Sequence, residues 1–152
     1  MGSYIGKHAE LYDLFYADKP YEDEARFIHD CLREFAEGPS HALLDVACGT
    51  GRHTFEFEQL GYKVSGVDYS EDMLSRARAT AAARGSGVRF DLADMRKLSL
   101  GEDAYDAITC LFDSIGYAQT TPAVLATLRG VHRHLRKRGL FAFEFWHGPA
   151  LL

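Results

Sequence analysis

Acidic residues and a glycine turn stand beside the apolar segments of this chain in a regular order. Asp45 lies in the apolar segment LLDVA, directly before the turn Gly49-Thr50-Gly51. Asp68 ends the next apolar segment about 20 residues further on, the separation at which an acid binds the ribose of a nucleotide cofactor. A strand, a glycine turn and a helix N-terminus together form a cradle for such a cofactor. The spacing therefore predicts a nucleotide-cofactor site.

The identity of that cofactor depends on what surrounds the glycines. A dinucleotide site uses G-x-G-x-x-G, but Thr54 occupies the third glycine's place. The carboxylate of Asp45 is poorly placed beside a pyrophosphate and well placed beside an ammonium group. S-adenosylmethionine (SAM) carries an ammonium, a carboxylate and a sulfonium, and no phosphate. We therefore expect SAM, with its carboxylate on the backbone N–H groups of the turn and Asp45 facing its cationic side.

The rest of the cofactor has candidate partners further along the chain. Asp68 is expected to accept from the ribose hydroxyls, since one carboxylate accepts from both. Asp94 and Met95 follow the third apolar segment, where an adenine would lie. Asp94 would accept from the exocyclic amine and Met95 would pack on the ring. The alternatives are that Asp68 is a turn acid and that Asp94 and Met95 are ordinary turn residues.

Apolar segments and helical periodicity define the elements that position these residues. Five strands are predicted, at residues 42–47, 62–68, 87–93, 106–112 and 139–146, and the helices between them cover 21–35, 51–60, 70–84 and 121–138, with LRKRG closing the last. Strands that alternate with helices of 10–15 residues indicate a parallel sheet covered on both faces. We predict an α/β fold, doubly wound and Rossmann-like, with about five parallel strands. Residues 1–152 form one domain, with a helical cap segment (1–38) and an α/β core (39–152).

Composition excludes several classes of function. The chain of 152 residues is 47% apolar and 26% charged, with a net charge of −5, which argues against a nucleic-acid partner. It has no apolar run of the roughly 18–20 residues that a membrane span needs. Three cysteines at no metal-ligand spacing predict reduced thiols and no metal site. With no signal-peptide core at the N-terminus, we expect a cytoplasmic protein.

Five motifs in this order resemble those of class I SAM-dependent methyltransferases, from about Leu11 to Trp146. They are DVACGTGRHT, GVDYSEDMLSRAR, DLADMRKL, CLFDSIGY and LRKRGLFAFEFW. The segments AELYDLFYADKPYEDEA and FDSIGY are more narrowly similar to the N-methyltransferases of nucleotide-linked amino sugars, although other small-molecule N-methyltransferases have related N-terminal segments. DNA amino-methyltransferases carry [NDS]PP[YFW] where this chain has FDSIGY, so a nucleic-acid substrate is disfavoured.

The resemblance also implies which residues form the site. It extends the expected cofactor contacts, which include Gly49 and Gly51, to Ala47, Cys48, Tyr69, Met73 and Leu111. In the family the N-terminal segment folds over the cofactor and the loop after the fourth strand faces the acceptor. By position, the residues expected on the catalytic side are Tyr12, Tyr16, Asp113, Ser114 and Tyr117. Tyr12 and Tyr16 have the alternative role of docking the first helix, and Asp113 that of a structural cap.

Two further residues are candidates for the site. His147 is a candidate base, and Glu144, in the apolar fifth strand, is a candidate for a substrate contact. A buried carboxylate at Glu144 has to be paired, exposed or protonated. The resembling enzymes continue beyond the fifth strand with an antiparallel hairpin. Because WHGPALL ends here, we expect a C-terminally truncated chain whose fifth strand is a sheet edge, with a homodimer as one way to cover it.

The function expected from all of this is SAM-dependent methyl transfer to a small molecule, with the amine of an amino-sugar nucleotide as the leading acceptor. The alternatives are methylation of another small nitrogen or oxygen acceptor, and a catalytically incomplete SAM-binding domain that acts with a partner.

Overall fold

The computed structural model describes residues 7–101 and 104–146. Within these ranges the helices are α1 (Lys7–Phe15), α2 (Tyr21–Phe35), α3 (Arg52–Gln59), α4 (Glu71–Arg84) and α5 (Thr121–His134). The strands are β1 (Ala42–Val46), β2 (Lys63–Asp68), β3 (Arg89–Leu92), β4 (Tyr105–Cys110) and β5 (Leu135–Phe143). Short 3-10 turns cover Met95–Lys97 and Ser114–Ala118.

The five strands form one sheet in the order β3-β2-β1-β4-β5, and every neighbouring pair is parallel. The chain winds outward from β1 to one edge and then returns to the other side, so the switch point lies between β1 and β4. Ligands of such sheets bind outside the carboxyl ends of the strands at that point. The predicted doubly wound sheet of five parallel strands is confirmed.

Helices bury both faces of this sheet. On β1, Leu43 faces a core that contains Ala25 of α2 and Phe57 of α3. Its neighbour Leu44 faces the opposite core, with Val131 of α5. Successive side chains of a strand point to opposite faces, so a strand that is buried on both sides needs an unbroken apolar run.

Local signals set the ends of the helix that follows β2. The Ser70 hydroxyl accepts from the backbone N–H of Met73 at 3.4 Å, and Gly85 ends α4 in the left-handed conformation with φ +65°. Thr120 caps α5 through the N–H of Ala123, one residue earlier than the sequence pattern Thr121-Pro122 suggests.

The junction of α5 and β5 differs from the prediction. The helix ends at His134, and the basic segment Leu135–Arg138 is the first part of β5 and not the last turn of the helix. Arg136 pairs with Asp106 at 2.8 Å and Arg138 pairs with Glu37, so these cations bind carboxylates outside α5. The strand also ends earlier than predicted, at Phe143, so Glu144 lies one residue beyond β5. Glu144 is half-buried, and its backbone N–H donates to the carbonyl of Cys110 at 3.3 Å.

Within the described ranges, no helix has both the length and the apolar character that crossing a bilayer requires. In the same part of the chain, no three His, Cys, Asp or Glu side chains are grouped as metal ligands would be.

Candidate functional site

A cavity lies at the carboxyl ends of β1, β2, β3 and β4, with α1 at its rim. Ten of the residues expected from the sequence line it: Tyr12, Ala47, Gly49, Asp68, Tyr69, Met73, Asp94, Met95, Ser114 and Tyr117. Ala93, Arg96 and Phe112 line it as well, without having been expected. Each of these three is next to an expected residue in the sequence, and this adjacency could have been used to predict them.

Gly49 and Asp68 form the centre of the cofactor side. The backbone N–H of Gly49 donates to Oδ2 of Asp68 at 2.8 Å, and that of Ser70 donates to Oδ1 at 2.9 Å. Gly49 has φ +57°, and a Cβ on it would have no atom within 4 Å, so the glycine leaves open space beside the acid. Burial raises the pKa of Asp68, and the N–H groups of Ser70, Gly49 and Tyr69 oppose that rise. Because a carboxylate has about four acceptor positions, Asp68 keeps capacity for a ligand hydroxyl.

Asp94 lies at the next strand end and is already paired. Its two oxygens accept from Nε of Arg96 at 2.8 and 3.0 Å, and Oδ2 accepts from the Arg96 Nη2 at 2.6 Å. These bonds hold the pKa of Asp94 below its ordinary value. The side chain is about 29% exposed and lines the cavity.

Asp45 lies beneath the glycine turn and does not line the cavity. Its Oδ2 accepts from the Thr54 hydroxyl at 2.6 Å and its Oδ1 from the Thr109 hydroxyl at 2.9 Å. Burial is the main influence on its pKa, which is raised, while the charge of His53 and the two hydroxyls oppose the rise. Asp45 thus lies between α3 and β4. The sequence had led us to expect it to face the ammonium group of the cofactor. Thr54, in place of a third glycine, is its partner.

Three other expected cofactor contacts also lie outside the lining. The thiol of Cys48 is within 3.8 Å of the Gly49 carbonyl and packs on the cluster around Phe90, and burial raises its pKa well above the ordinary value. Gly51 has φ +82°, and a Cβ there would stand 2.9 Å from the Phe90 ring. Leu111 is buried in the core on the α2 side of the sheet. These three residues pack in or against the core, and from the glycine loop only Ala47 and Gly49 line the cavity.

The loop after β4 has an unusual backbone. Phe112 and Asp113 both have positive φ, +57° and +55°, which is uncommon for residues other than glycine. Asp113 does not line the cavity, because its Oδ1 accepts from the backbone N–H of Trp146 at 3.1 Å. A Cβ on Gly116 would stand 3.1 Å from the Asp113 carboxylate, so this glycine makes room for it. Asp113 is therefore an anchor of the loop, and Ser114 and Tyr117 face the cavity.

The N-terminal segment is tied to the site at two places. Oδ1 of Asp13 accepts from the Thr50 hydroxyl at 2.6 Å, and its Oδ2 lies 3.5 Å from Nη2 of Arg76 on α4. This attaches α1 to the middle residue of the glycine turn and places Tyr12 at the cavity. Tyr16 is not among the residues that line the cavity. Its ring packs edge-on against that of Phe112, at a centroid distance of 4.8 Å. His147, the weakest base candidate, lies outside the described residues.

The sequence model of a family described as "Methyltransferase domain" matches residues 43–139, from β1 into β5. The chain belongs to this family. The cavity therefore lies in a methyltransferase domain, and the resemblance inferred from the five motifs is confirmed.

Individual members agree with the narrower likeness. The chain is 38% identical over 144 residues to the dTDP-3-amino-3,4,6-trideoxy-alpha-D-glucopyranose N,N-dimethyltransferase of Streptomyces venezuelae, which covers 93% of this chain and 58% of the relative. Among solved structures, Streptomyces venezuelae DesVI superposes with a TM-score of 0.85 at 34% identity, over 98% of this chain and 61% of DesVI. SAM-bound CalS10, an amino pentose methyltransferase from Micromonospora echinaspora, gives a TM-score of 0.82 at 34% identity, over 92% of this chain and 58% of CalS10.

The chain spans less than two thirds of the length of the curated relatives that it matches, 58% of the first and 53% and 55% of two further methyltransferases.

Proposed function

We propose that this chain binds SAM in the cavity and serves in methyl transfer to an amine of a nucleotide-linked sugar. The observation that carries the proposal is the grouping of Asp68, Asp94 and the open glycine Gly49 at adjoining strand ends. Two carboxylates at the lining suit a ligand with hydroxyl and amine donors. Thr54 stands where the dinucleotide fingerprint has its third glycine, so a dinucleotide is disfavoured.

The residues present fit SAM in three parts. Asp68 would accept from the ribose hydroxyls, with Tyr69 and Met73 beside it, because all three residues line the cavity. Asp94 would accept from the adenine amine, and the Met95 side chain would pack on the ring. The backbone at Ala47 and Gly49 would border the amino-acid end. Cys48, Gly51 and Leu111 would support this surface without touching the ligand, and Asp45 would hold the turn through Thr54.

When bound, SAM supplies an activated methyl group on a sulfonium, and an amine lone pair displaces the sulfide in line. Alignment and exclusion of water then carry most of the rate enhancement that the protein has to provide. Tyr12 and Phe112, which both line the cavity, would help to close it against water. Tyr117 and Ser114, on the loop after β4, would orient the acceptor amine through their hydroxyl groups. The amine must arrive with a free lone pair, so the proton of its ammonium form would leave to water before the attack.

The sugar-nucleotide acceptor rests on the relatives. Several that match nearly the whole chain are named as N,N-dimethyltransferases of dTDP-linked amino sugars, at 38%, 35% and 32% identity. A solved sugar N-methyltransferase, KedS8, superposes with a TM-score of 0.81. These names support an amine acceptor over an oxygen acceptor for this chain.

Calorimetric titration with SAM and with NAD, side by side, tests the cofactor. We expect SAM to bind and NAD not to bind, and the opposite result would reject the proposal. A radiomethyl transfer assay with the complete protein that carries this chain, over amino-sugar nucleotides and their deaminated analogues, then tests the acceptor. Label in the amino compounds alone supports the proposal, and SAM binding without transfer to any acceptor would indicate a SAM-binding domain that acts with a partner.

A further inference from the structure

The segment between α1 and α2 packs on Phe112, one of the residues that line the cavity. Lys19 lies in this segment, with its Nζ 4.7 Å from the centroid of Phe112 and 5.1 Å from that of Tyr21. The Tyr16 ring meets Phe112 edge-on, at an interplanar angle of 89°. Phe112 is thus held by a cation and by an aromatic edge, both supplied from outside the loop that it belongs to.

Lys19 itself is fixed in place. Its side chain is only 11% exposed and is ion-paired with Glu24 on α2. The same Oε2 of Glu24 lies 2.6 Å from Nε2 of His53 on α3. Hydrogen bonding to His53 and Lys19 lowers the pKa of Glu24, so this carboxylate is charged at neutral pH. A lysine with a paired and buried ammonium has little freedom to leave the ring.

The backbone at Phe112 needs such support. A bulky residue with φ near +57° is strained, and strain of this kind persists only where surrounding contacts fix the conformation. Ser114 and Tyr117 follow Phe112 in the same loop and line the cavity with it. If Phe112 relaxed to negative φ, these two side chains would move with the loop. By contrast, Gly49 and Asp68 bond to each other and to the start of α4.

We propose that Lys19 is a positioning residue for the acceptor, which fixes the loop from Phe112 to Tyr117 by seating its ammonium on the Phe112 ring. This rests on the proposed function only in calling that side of the cavity the acceptor side. Binding at the two sides of the cavity can therefore be changed separately. Removing the charge of Lys19 would affect binding of the acceptor and would not affect binding of SAM.

The experiment compares Lys19→Met, which keeps the stem and removes the charge, with Lys19→Arg, which keeps a cation. In the complete protein, we expect Lys19→Met to raise the acceptor KM about tenfold, whereas Lys19→Arg stays within about threefold of the wild type. The Kd of SAM should remain within about twofold in both, because the described side-chain contacts of Lys19 are with Phe112, Tyr21 and Glu24 and not with Gly49 or Asp68. Lys63→Met, an exposed lysine on β2, is the matched control and should leave all values unchanged.

The proposal is overturned if Lys19→Met keeps the wild-type acceptor KM, or if the Kd of SAM rises in parallel with that KM. If Lys19→Met does not fold, Glu24→Gln, which removes the ion-pair partner of Lys19, must give the same split between the two ligands, and the absence of that split overturns the proposal as well. If the wild type methylates no acceptor, the proposed function fails, and amide NMR shifts decide instead. Lys19→Met must then shift the resonances of Ser114 and Tyr117 and spare those of Gly49 and Asp68, and unshifted loop resonances overturn the proposal.

Discussion

The Asp68 carboxylate has two kinds of neighbour, backbone N–H groups on one side and the cavity on the other. The bonds from Gly49 and Ser70 fix its orientation and join the glycine turn to the end of β2. A carboxylate fixed in this way presents its remaining acceptor positions to a ligand without losing side-chain entropy on binding.

Replacing Asp68 with alanine removes the expected ribose acceptor. We expect Asp68→Ala to weaken SAM binding by about 1.5–3 kcal/mol, the scale of a hydrogen bond to a charged group, as measured by calorimetry. Asp91→Ala, at an exposed position on the neighbouring β3, is the control and should leave the affinity unchanged. Unchanged affinity in Asp68→Ala would show that this acid only shapes the turn.

Asp45 is a buried carboxyl whose pKa is raised above its ordinary value of 3.8. As pH rises through that value, the unfolded chain releases the proton while the folded chain retains it, so ionisation at this position costs stability until the folded pKa is passed. Asp45→Asn keeps an acceptor for one threonine hydroxyl and does not titrate. We therefore expect the free energy of unfolding of Asp45→Asn, relative to wild type, to increase as pH is raised above about 4 and then to level off. Urea denaturation at a series of pH values measures this difference, and a difference that is constant with pH would contradict the raised pKa.

At the scale of elements, the attachment of α1 to the glycine turn depends on the Thr50 hydroxyl, which donates to Asp13 at 2.6 Å. Thr50→Val keeps the shape and removes this donor. We expect α1 to open more easily by about 1.5–3 kcal/mol, the value of a hydrogen bond to a charged acceptor. Hydrogen exchange at the amides of Tyr12 and Tyr16 should become faster, while exchange in β1 should not change. Thr121→Val, at an exposed position on α5, is the control, and equal protection of α1 in all three proteins would show that Asp13 does not hold the helix.

The sequence predicted the elements best where a local signal and the hydrophobic period agreed. Ser70 and Gly85 delimit α4 as expected, because each satisfies backbone groups that the helix leaves open. The start of β5 could not be predicted, since Leu135–Arg138 has no apolar alternation and its pairing depends on Asp106 and Glu37, which are distant in sequence.

For the site, the strand ends predicted which acids and glycines would meet, and Gly49, Asp68 and Asp94 do line one cavity. The partners of the side chains could not be predicted in the same way. Nothing in the local sequence indicates that Thr109, far along the chain, takes up one oxygen of Asp45, or that Phe112 adopts a positive φ. Both follow from contacts that form only when the sheet is assembled.

At the scale of the whole molecule, β5 is the outermost strand on its side of the sheet among the described residues, and the segment that follows it contains exposed aromatic rings. Phe143 stacks on Phe141 at a centroid distance of 5.0 Å, and Phe145 and Trp146 are 64% and 61% exposed. An apolar sheet edge pairs readily with another chain. A homodimer, which is one way to cover this edge, remains a prediction.

We expect the 152-residue chain to associate through this edge, and Phe145→Lys to raise the dissociation constant of the dimer at least about tenfold, or 1.4 kcal/mol. Sedimentation equilibrium at several concentrations measures the constant. Phe27→Lys, which changes an aromatic residue on α2 that is 67% exposed, is the matched control. A chain that is monomeric at every concentration would reject the dimer, and equal weakening by both variants would place the contact elsewhere.

The ring of Phe90 touches two glycines that come from different parts of the chain. A Cβ on Gly51 would stand 2.9 Å from this ring, and a Cβ on Gly66 would stand 2.7 Å from it. While the phenyl ring is present, neither glycine tolerates a side chain without a shift of its neighbours. A smaller residue at 90 would remove this contact at both glycines, but a Cβ on Gly66 would still stand 2.9 Å from Sγ of Cys48, and the positive φ of Gly51 would still favour glycine there. We expect homologous chains with a side chain at position 66 to carry smaller residues at both 90 and 48, and position 51 to remain glycine whatever residue stands at 90.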